Sequence, residues 1–237
     1  MRTLKVGAAF PEPPFNGMPH DGGLDIDLMT EIAETLGMDV EFITYDGADF
    51  NGIFDALNAG TFDCVAAGTT VTPERKKKAA FAPPYLISGQ SLAVDTTRLP
   101  AVRSVDDLEG LTIGVQQGNT SRAIAEELVA DGKAARVRVY DYGDIRTALN
   151  DLTSGGCDAL MKLAPVLTEL VKPIAGVEVV QRGISVEDIA IAVGRGDQEL
   201  LARIMVAQEQ LNQDGTLQLL RRKWLGNPYA DQSLAVL

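Results

Sequence analysis

Arg75 has the setting of an anion clamp. It closes the run Gly68-Thr69-Thr70-Val71-Thr72-Pro73-Glu74-Arg75, in which Thr72 suits a helix N-cap, Pro73 the first helical position and Glu74 the first turn. A guanidinium at such a helix start, beside two hydroxyls and a flexible glycine, can grip a carboxylate through two parallel hydrogen bonds. The competing reading is an exposed arginine in the solvated run with Lys76, Lys77 and Lys78. A second candidate is Gln116-Gln117-Gly118-Asn119-Thr120-Ser121, which follows an apolar stretch and opens a helix. Gly118 permits close backbone approach, and the unbonded amides of a helix start favour an anion. The Gly-Lys-Ser/Thr ending of a phosphate loop is missing, and plain capping by Asn119 or Thr120 accounts for the same residues. Phe10 and Phe15 flank Pro11-Glu12-Pro13-Pro14, and Phe50 opens a helix; these rings can stack on a ligand or belong to the core. Glu12, an acid between prolines in a loop leaving a buried strand, has few structural reasons to be there.

The elements that must position these residues form a pattern that occurs twice. Leu4 to Ala9 reads as a strand, and Leu24, Leu28, Ile32 and Leu36 stack on one face of a helix that Gly37 ends. Val40 to Tyr45 alternates as a strand, Phe50 to Asn58 reads as a helix, and Phe62 to Ala67 as an apolar strand. The same order returns with Leu111 to Val115, Ser121 to Val129, Val137 to Tyr140, Ile145 to Leu152 and Cys157 to Met161. Leu57, Gly60 and Asp63 match Leu152, Gly155 and Asp158, a Leu-x-x-Gly-x-x-Asp junction where glycine stops a helix before a buried strand.

Two like-ordered blocks predict an α/β fold of two lobes, each a mainly parallel sheet with ligand groups beyond the carboxyl ends of its strands. Ser91 to Val94 and Ile189 to Val193 are further apolar stretches on either side of the second block, and helices from about Glu199 to Asn212 and Leu217 to Trp224 follow. The simplest assembly puts residues 1–90 and 191–237 in lobe one and 95–187 in lobe two, with hinge strands near 91–94 and 188–192.

Composition narrows the function. The 237 residues are 46% hydrophobic and 23% charged, ordinary globular usage that excludes disorder, collagen and coiled coil. Lys plus Arg total 21 against 33 Asp plus Glu, a formal charge of -12, so nucleic acid is not the expected partner. No apolar run has the length of a membrane-spanning helix. The chain enters strand-like sequence almost at Met1, so it is read either as cytoplasmic or as lacking a leader already removed. Cys64, Cys157 and the lone His20 cannot by themselves supply a four-ligand zinc site, and both cysteines lie in apolar strands as inert thiols.

Gly23-Leu24-Asp25-Ile26-Asp27-Leu28, the Gly68 to Arg75 run, Phe81-Ala82-Pro83-Pro84-Tyr85 and Ser104-Val105-Asp106-Asp107-Leu108-Glu109-Gly110 resemble the solute-binding proteins of polar-amino-acid ABC transporters, family 3. Order and spacing hold from about residue 4 to Trp224. The resemblance implies a two-lobed periplasmic-binding-protein-like fold of type II, with a cleft between the lobes and a two-strand hinge. It also implies hinge closure on a small carboxylate-bearing ligand, a membrane permease as partner, and no cofactor or metal; a monomer is expected because both lobes must move freely about the hinge. The implied location is the periplasm or a cell-surface lipoprotein.

By the same resemblance Arg75 pairs with the ligand α-carboxylate, Gly68, Thr70 and the Gln116 to Thr120 loop add hydrogen bonds, and Phe50 packs on the ligand side chain. Two positions depart from the family. Leu163, preceded by Lys162, stands where amino-acid binders carry the aspartate that pairs with the ligand ammonium, and Glu12 stands where an aromatic is usual. Either Glu12 replaces the lost acid, or the ligand lacks an α-amino group and Arg75 and Lys162 grip an anion. Two alternatives from other classes are a dehydratase acting on prephenate-like substrates with Glu12 or Glu169 as acid, and the sensing domain of a receptor.

Overall fold

In the computed structural model, which describes residues 2–17 and 22–226, the chain begins with β1 (Thr3–Ala9), α1 (Leu24–Thr35), β2 (Asp39–Tyr45), α2 (Gly52–Asn58) and β3 (Cys64–Val65). It goes on through α3 (Pro73–Lys78), β4 (Ala79–Phe81), β5 (Leu86–Ser88), β6 (Gln90–Asp95), β7 (Thr112–Gln116), α4 (Ser121–Ala130), β8 (Arg136–Tyr140) and α5 (Ile145–Ser154). The last elements are β9 (Ala159–Leu163), α6 (Ala164–Val171), β10 (Val177–Gln181), β11 (Glu187–Ile189), β12 (Ala192–Gly194), α7 (Gln198–Gln213) and α8 (Thr216–Leu225). His20 lies outside the described residues.

The chain divides into two compact units. Unit 1 takes the residues up to Asp46, Asn51–Ile87 and those from Glu187 on; unit 2 takes Gly47–Phe50 and Ser88–Val186 among the described residues. Ser91 to Val94 lies inside β6, an interior strand of unit 2's sheet, rather than at a crossing. Every residue of β6 is buried, which requires cover on both of its faces. Among the described residues the chain passes between units at 46/47, 50/51, 87/88 and 186/187, and β5 and β11, at the last two, form a two-stranded sheet.

Each unit is built on a five-stranded sheet, and the two orders correspond. Unit 1 runs β2-β1-β3-β12-β4, with β1 parallel to β2 and β3, and β12 antiparallel to β3 and β4. Unit 2 runs β8-β7-β9-β6-β10, with β7 parallel to β8 and β9, and β6 antiparallel to β9 and β10. The interior strands are buried on both faces and read as apolar runs, as parallel strands sandwiched by helices must. In unit 2, Leu92 and Val94 of β6 pack with Ile113 and Val115 on one side, while Ala93 packs with Leu152, Leu160 and Leu167 on the other.

The duplicated junction has a common physical origin. Asp63 and Lys5 of β1 exchange two bonds: Lys5 N donates to Asp63 Oδ2 at 2.8 Å, and Asp63 N donates to Lys5 O at 2.9 Å. Asp158 does the same with Thr112 of β7, at 2.9 and 3.0 Å. Each acid thus locks the strand that follows it, β3 or β9, to its parallel neighbour, β1 or β7. Gly60 and Gly155 turn the chain into this geometry at φ of 78° and 91°, where a side chain would be strained.

Two sequence expectations are displaced. The second helix starts at Gly52, and Phe50 belongs instead to the 47–50 segment, which pairs with unit 2: Phe50 N donates to Gln117 O at 3.2 Å and Tyr142 N to Ala48 O at 2.7 Å. The Phe62 to Ala67 strand shrinks to Cys64–Val65, since Phe62 and Ala67 are apolar because they are buried, not because they are paired.

Candidate functional site

In unit 1 the parallel strands end at the Glu12 loop after β1 and at Gly68 to Thr70 after β3, and α3 starts just beyond. Thr72 caps α3 through its hydroxyl, which accepts from Arg75 N at 3.1 Å, with Pro73 in the first turn, as the sequence predicts. Arg75 is 6% exposed, whereas Lys76, Lys77 and Lys78 are exposed, so it is not part of a solvated run. Its Nε donates to Asn51 Oδ1 at 3.1 Å, its Nη1 to Thr70 O at 2.8 Å, and the guanidinium carbon lies 5.7 Å from the Phe54 ring centroid. These contacts fix the plane of the guanidinium, which is the requirement for two-point carboxylate recognition. Thr70 Oγ1 donates to Glu187 Oε2 at 2.6 Å, placing a buried acid beside the same segment.

Two predicted residues of unit 1, Phe15 and Thr69, do not face this edge. Phe15 is fully buried, and its ring lies where a Cβ on Gly68 would meet it, so it supports the Gly68 segment from below rather than lining the site. Thr69 is also fully buried; its carbonyl accepts from Ala190 N at 3.0 Å and anchors the segment from behind. Glu12 is held in a tight turn, with Glu12 N donating to Asn16 O at 2.8 Å and Asn16 N to Glu12 O at 2.9 Å.

In unit 2 the parallel strands β7, β8 and β9 end at Gln116, at Tyr140 just before Tyr142, and at Lys162-Leu163. Lys162 is buried; its Nζ donates to Gln116 Oε1 at 2.6 Å and lies 5.8 Å from the Tyr142 ring centroid, while Gln116 Nε2 donates to Tyr142 O at 2.5 Å. The Gln116 amide is thereby oriented with its oxygen on the lysine. Phe50 joins this edge, its ring centroid 5.1 Å from that of Tyr142. Gln117 is engaged within unit 2, its Nε2 donating to Asp49 Oδ2 at 3.0 Å and its Oε1 accepting from Arg122 Nη1 at 2.6 Å. Neither Asn119 nor Thr120 caps α4 with its side chain; Thr120 Oγ1 accepts from Gln90 Nε2 at 3.0 Å. Gly118 turns the loop at φ 80°. Leu163, the last residue of β9, is 8% exposed and leads directly into α6.

The sequence reading missed Asn51, Glu187, Tyr142 and Gln90 because their partners are distant along the chain, 117 residues apart for Thr70 and Glu187. It also gave no role to Asp25, which lies fully buried in unit 1. Its carboxyl is pushed up to about 6, chiefly by burial; hydrogen bonds from Tyr85, Gly68 and Asn16 oppose that, and the Glu12 charge adds to it. Burial and the Asp25 charge together push the Tyr85 phenol up, so it remains a donor at neutral pH. Since the folded value of Asp25 lies above the unfolded one, its stabilising contribution is complete below about pH 3.8 and lost as pH rises through about 6. Wild type is therefore expected to lose about 3 kcal/mol of stability relative to Asp25→Asn between about pH 3.5 and pH 7. Denaturant titrations of both proteins at the two pH values measure this; a difference independent of pH contradicts it.

Reactive chemistry finds little support. Burial pushes the Cys64 and Cys157 thiols up, which makes them poor nucleophiles. Among the described residues no group of three or more His, Cys, Asp or Glu could hold a metal ion, and no helix is long and apolar enough to cross a membrane. Glu169 lies on α6 with Lys172 3.4 Å away, a helix-surface pair rather than a site acid.

Comparison with known proteins finds relatives along nearly the whole chain. The L-cystine-binding protein TcyJ of Escherichia coli (strain K12) is 30% identical over 228 residues, covering 94% of this chain and 83% of that protein. A solved ancestral arginine-binding protein bound to arginine superposes with a TM-score of 0.85 at 38% identity, covering 94% of this chain and 98% of that one. The ancestral amino acid-binding protein AncCDT-1, described as a precursor of cyclohexadienyl dehydratase, gives 0.82 at 34% identity, covering 94% of each chain. These relatives are named as binding proteins, so the dehydratase alternative is not favoured. The profile of the bacterial extracellular solute-binding proteins, family 3, matches residues 4–227, nearly the whole chain, and the protein belongs to that family.

Proposed function

We propose that this protein is the solute receptor of an ABC importer, working as a monomer in the periplasm or as a surface lipoprotein and passing a small carboxylate-bearing, amino-acid-like ligand to a membrane permease. The observation that carries the reading is Arg75, a buried guanidinium whose plane is fixed by Asn51 and the Thr70 carbonyl beyond the carboxyl end of β3. Lys162 and Leu163 rather than an acid stand at the end of β9, so the ligand presents an oxygen acceptor to unit 2. Any ammonium it carries is met by the unit 1 acids Glu12 and Glu187. A ligand that binds one state of the protein better than another shifts its population toward that state, and that shift is what a permease reads.

The test is a thermal-shift screen of protein stripped of co-purified ligand, comparing L-amino acids, matched carboxylates without the α-amino group, and small amines without a carboxylate. A ligand at 100 times its Kd adds about 2.7 kcal/mol, which a melting curve resolves. Carboxylates are expected to stabilise and the amines not. Amines stabilising as well as their parent acids would remove Arg75 from the reading.

A further inference from the structure

Asp25 joins three parts of unit 1 through one carboxylate. Oδ2 accepts from Gly68 N at 2.7 Å and from Asn16 Nδ2 at 2.9 Å, and Oδ1 accepts from the Tyr85 hydroxyl at 2.5 Å. Asn16 closes the turn that carries Glu12. Gly68, at φ 56°, opens the segment whose Thr70 carbonyl receives Arg75 Nη1. Tyr85 stands at the head of β5, the strand by which the chain leaves unit 1, and its own carbonyl accepts from Arg221 Nε of α8 at 2.8 Å.

We propose that Asp25 is a positioning residue for the ligand site, holding the Gly68 to Thr70 segment, and through it Arg75, in register with the Glu12 turn and the start of β5. The proposal rests on the reading of Arg75 as the carboxylate clamp. A buried acid here is costly, and burial raises its proton affinity. What it supplies is acceptor capacity: three donors converge on two oxygens, and Gly68 N–H and Asn16 Nδ2 can only donate toward it. A leucine of similar size accepts nothing. An asparagine can turn its oxygen to Gly68 and Asn16 and its amide to Tyr85, whose hydroxyl is able to accept instead. The titratable and charged groups facing Asp25 are Tyr85 from the segment before β5 and Glu12 from the turn after β1; on its own helix Asp27 is engaged by Lys223 and Trp224 at 2.7 Å each.

The experiment is ligand-free NMR on the full chain, following the Gly68 amide and the Arg75 Nε–H. In wild type the Gly68 amide shift is expected to titrate with a midpoint near 6. Asp25→Leu is expected to lower hydrogen-exchange protection of both groups at least tenfold, and Asp25→Asn to restore most of that protection while abolishing the titration. A Gly68 amide that does not titrate in wild type, or protection at both groups that survives Asp25→Leu, overturns the proposal. Should Asp25→Leu fail to fold, the wild-type titration and its loss in Asp25→Asn decide. A null result here with carboxylate binding intact removes only the positioning role, whereas loss of the carboxylate preference in the thermal-shift screen removes the clamp itself.

Discussion

Arg75→Ala is expected to abolish ligand-induced stabilisation without unfolding the protein. The Arg75 side chain bonds to Asn51 Oδ1 and the Thr70 carbonyl, among others, and packs near Phe54, while the backbone of α3 is capped by Thr72 through the Arg75 N–H, which alanine keeps. Its removal leaves a ligand carboxylate without its charged partner in a desolvated site, an effect of about 2–5 kcal/mol, or roughly 30-fold to several thousandfold in Kd. Calorimetric titration of the variant beside circular dichroism of its fold checks both halves of the statement. A variant that keeps full affinity takes Arg75 out of the clamp.

Leu163→Asp is expected to create or strengthen binding of ordinary L-amino acids by about 100-fold. Leu163 ends β9 and immediately precedes α6, a cap position that accepts aspartate readily. An ammonium facing the end of β9 meets Leu163 rather than an acid, and pairing an enclosed ammonium is worth several kcal/mol, so this is a large change at the unit 2 edge. The readout is the thermal shift across a panel of L-amino acids for wild type and variant. No gain for any member would show that more than a missing acid excludes them.

The framework was legible because it is written in local pattern. The spacing of Leu57, Gly60 and Asp63, repeated at Leu152, Gly155 and Asp158, marks a junction whose acid bonds the start of the neighbouring strand, and both units keep it. The α3 start was equally plain, since Thr72, Pro73 and Glu74 each satisfy a rule of helix initiation. Phe50 was misplaced because its position depends on the pairing of Ala48 with Tyr142 and of Phe50 with Gln117, which no local window contains. Gln117 looked like a ligand group and is occupied by Asp49 and Arg122 for the same reason. Asp25, by contrast, left a signal that could have been used. At 3.6 residues per turn it falls between Ile32 and Met29 on the wheel, a lone acid inside the apolar stripe of α1. An acid there needs donors from elsewhere in the fold, and Gly68, Asn16 and Tyr85 provide them.

The central claim is that a carboxylate is gripped by Arg75. It is tested most directly by calorimetric titration of ligand-free protein with the acid that gives the largest thermal shift and with that acid's own primary amide. The prediction is tight binding of the acid and binding of the amide weaker by about 100-fold or more. Equal affinity for the two, or no binding by any acid of the panel, would contradict it.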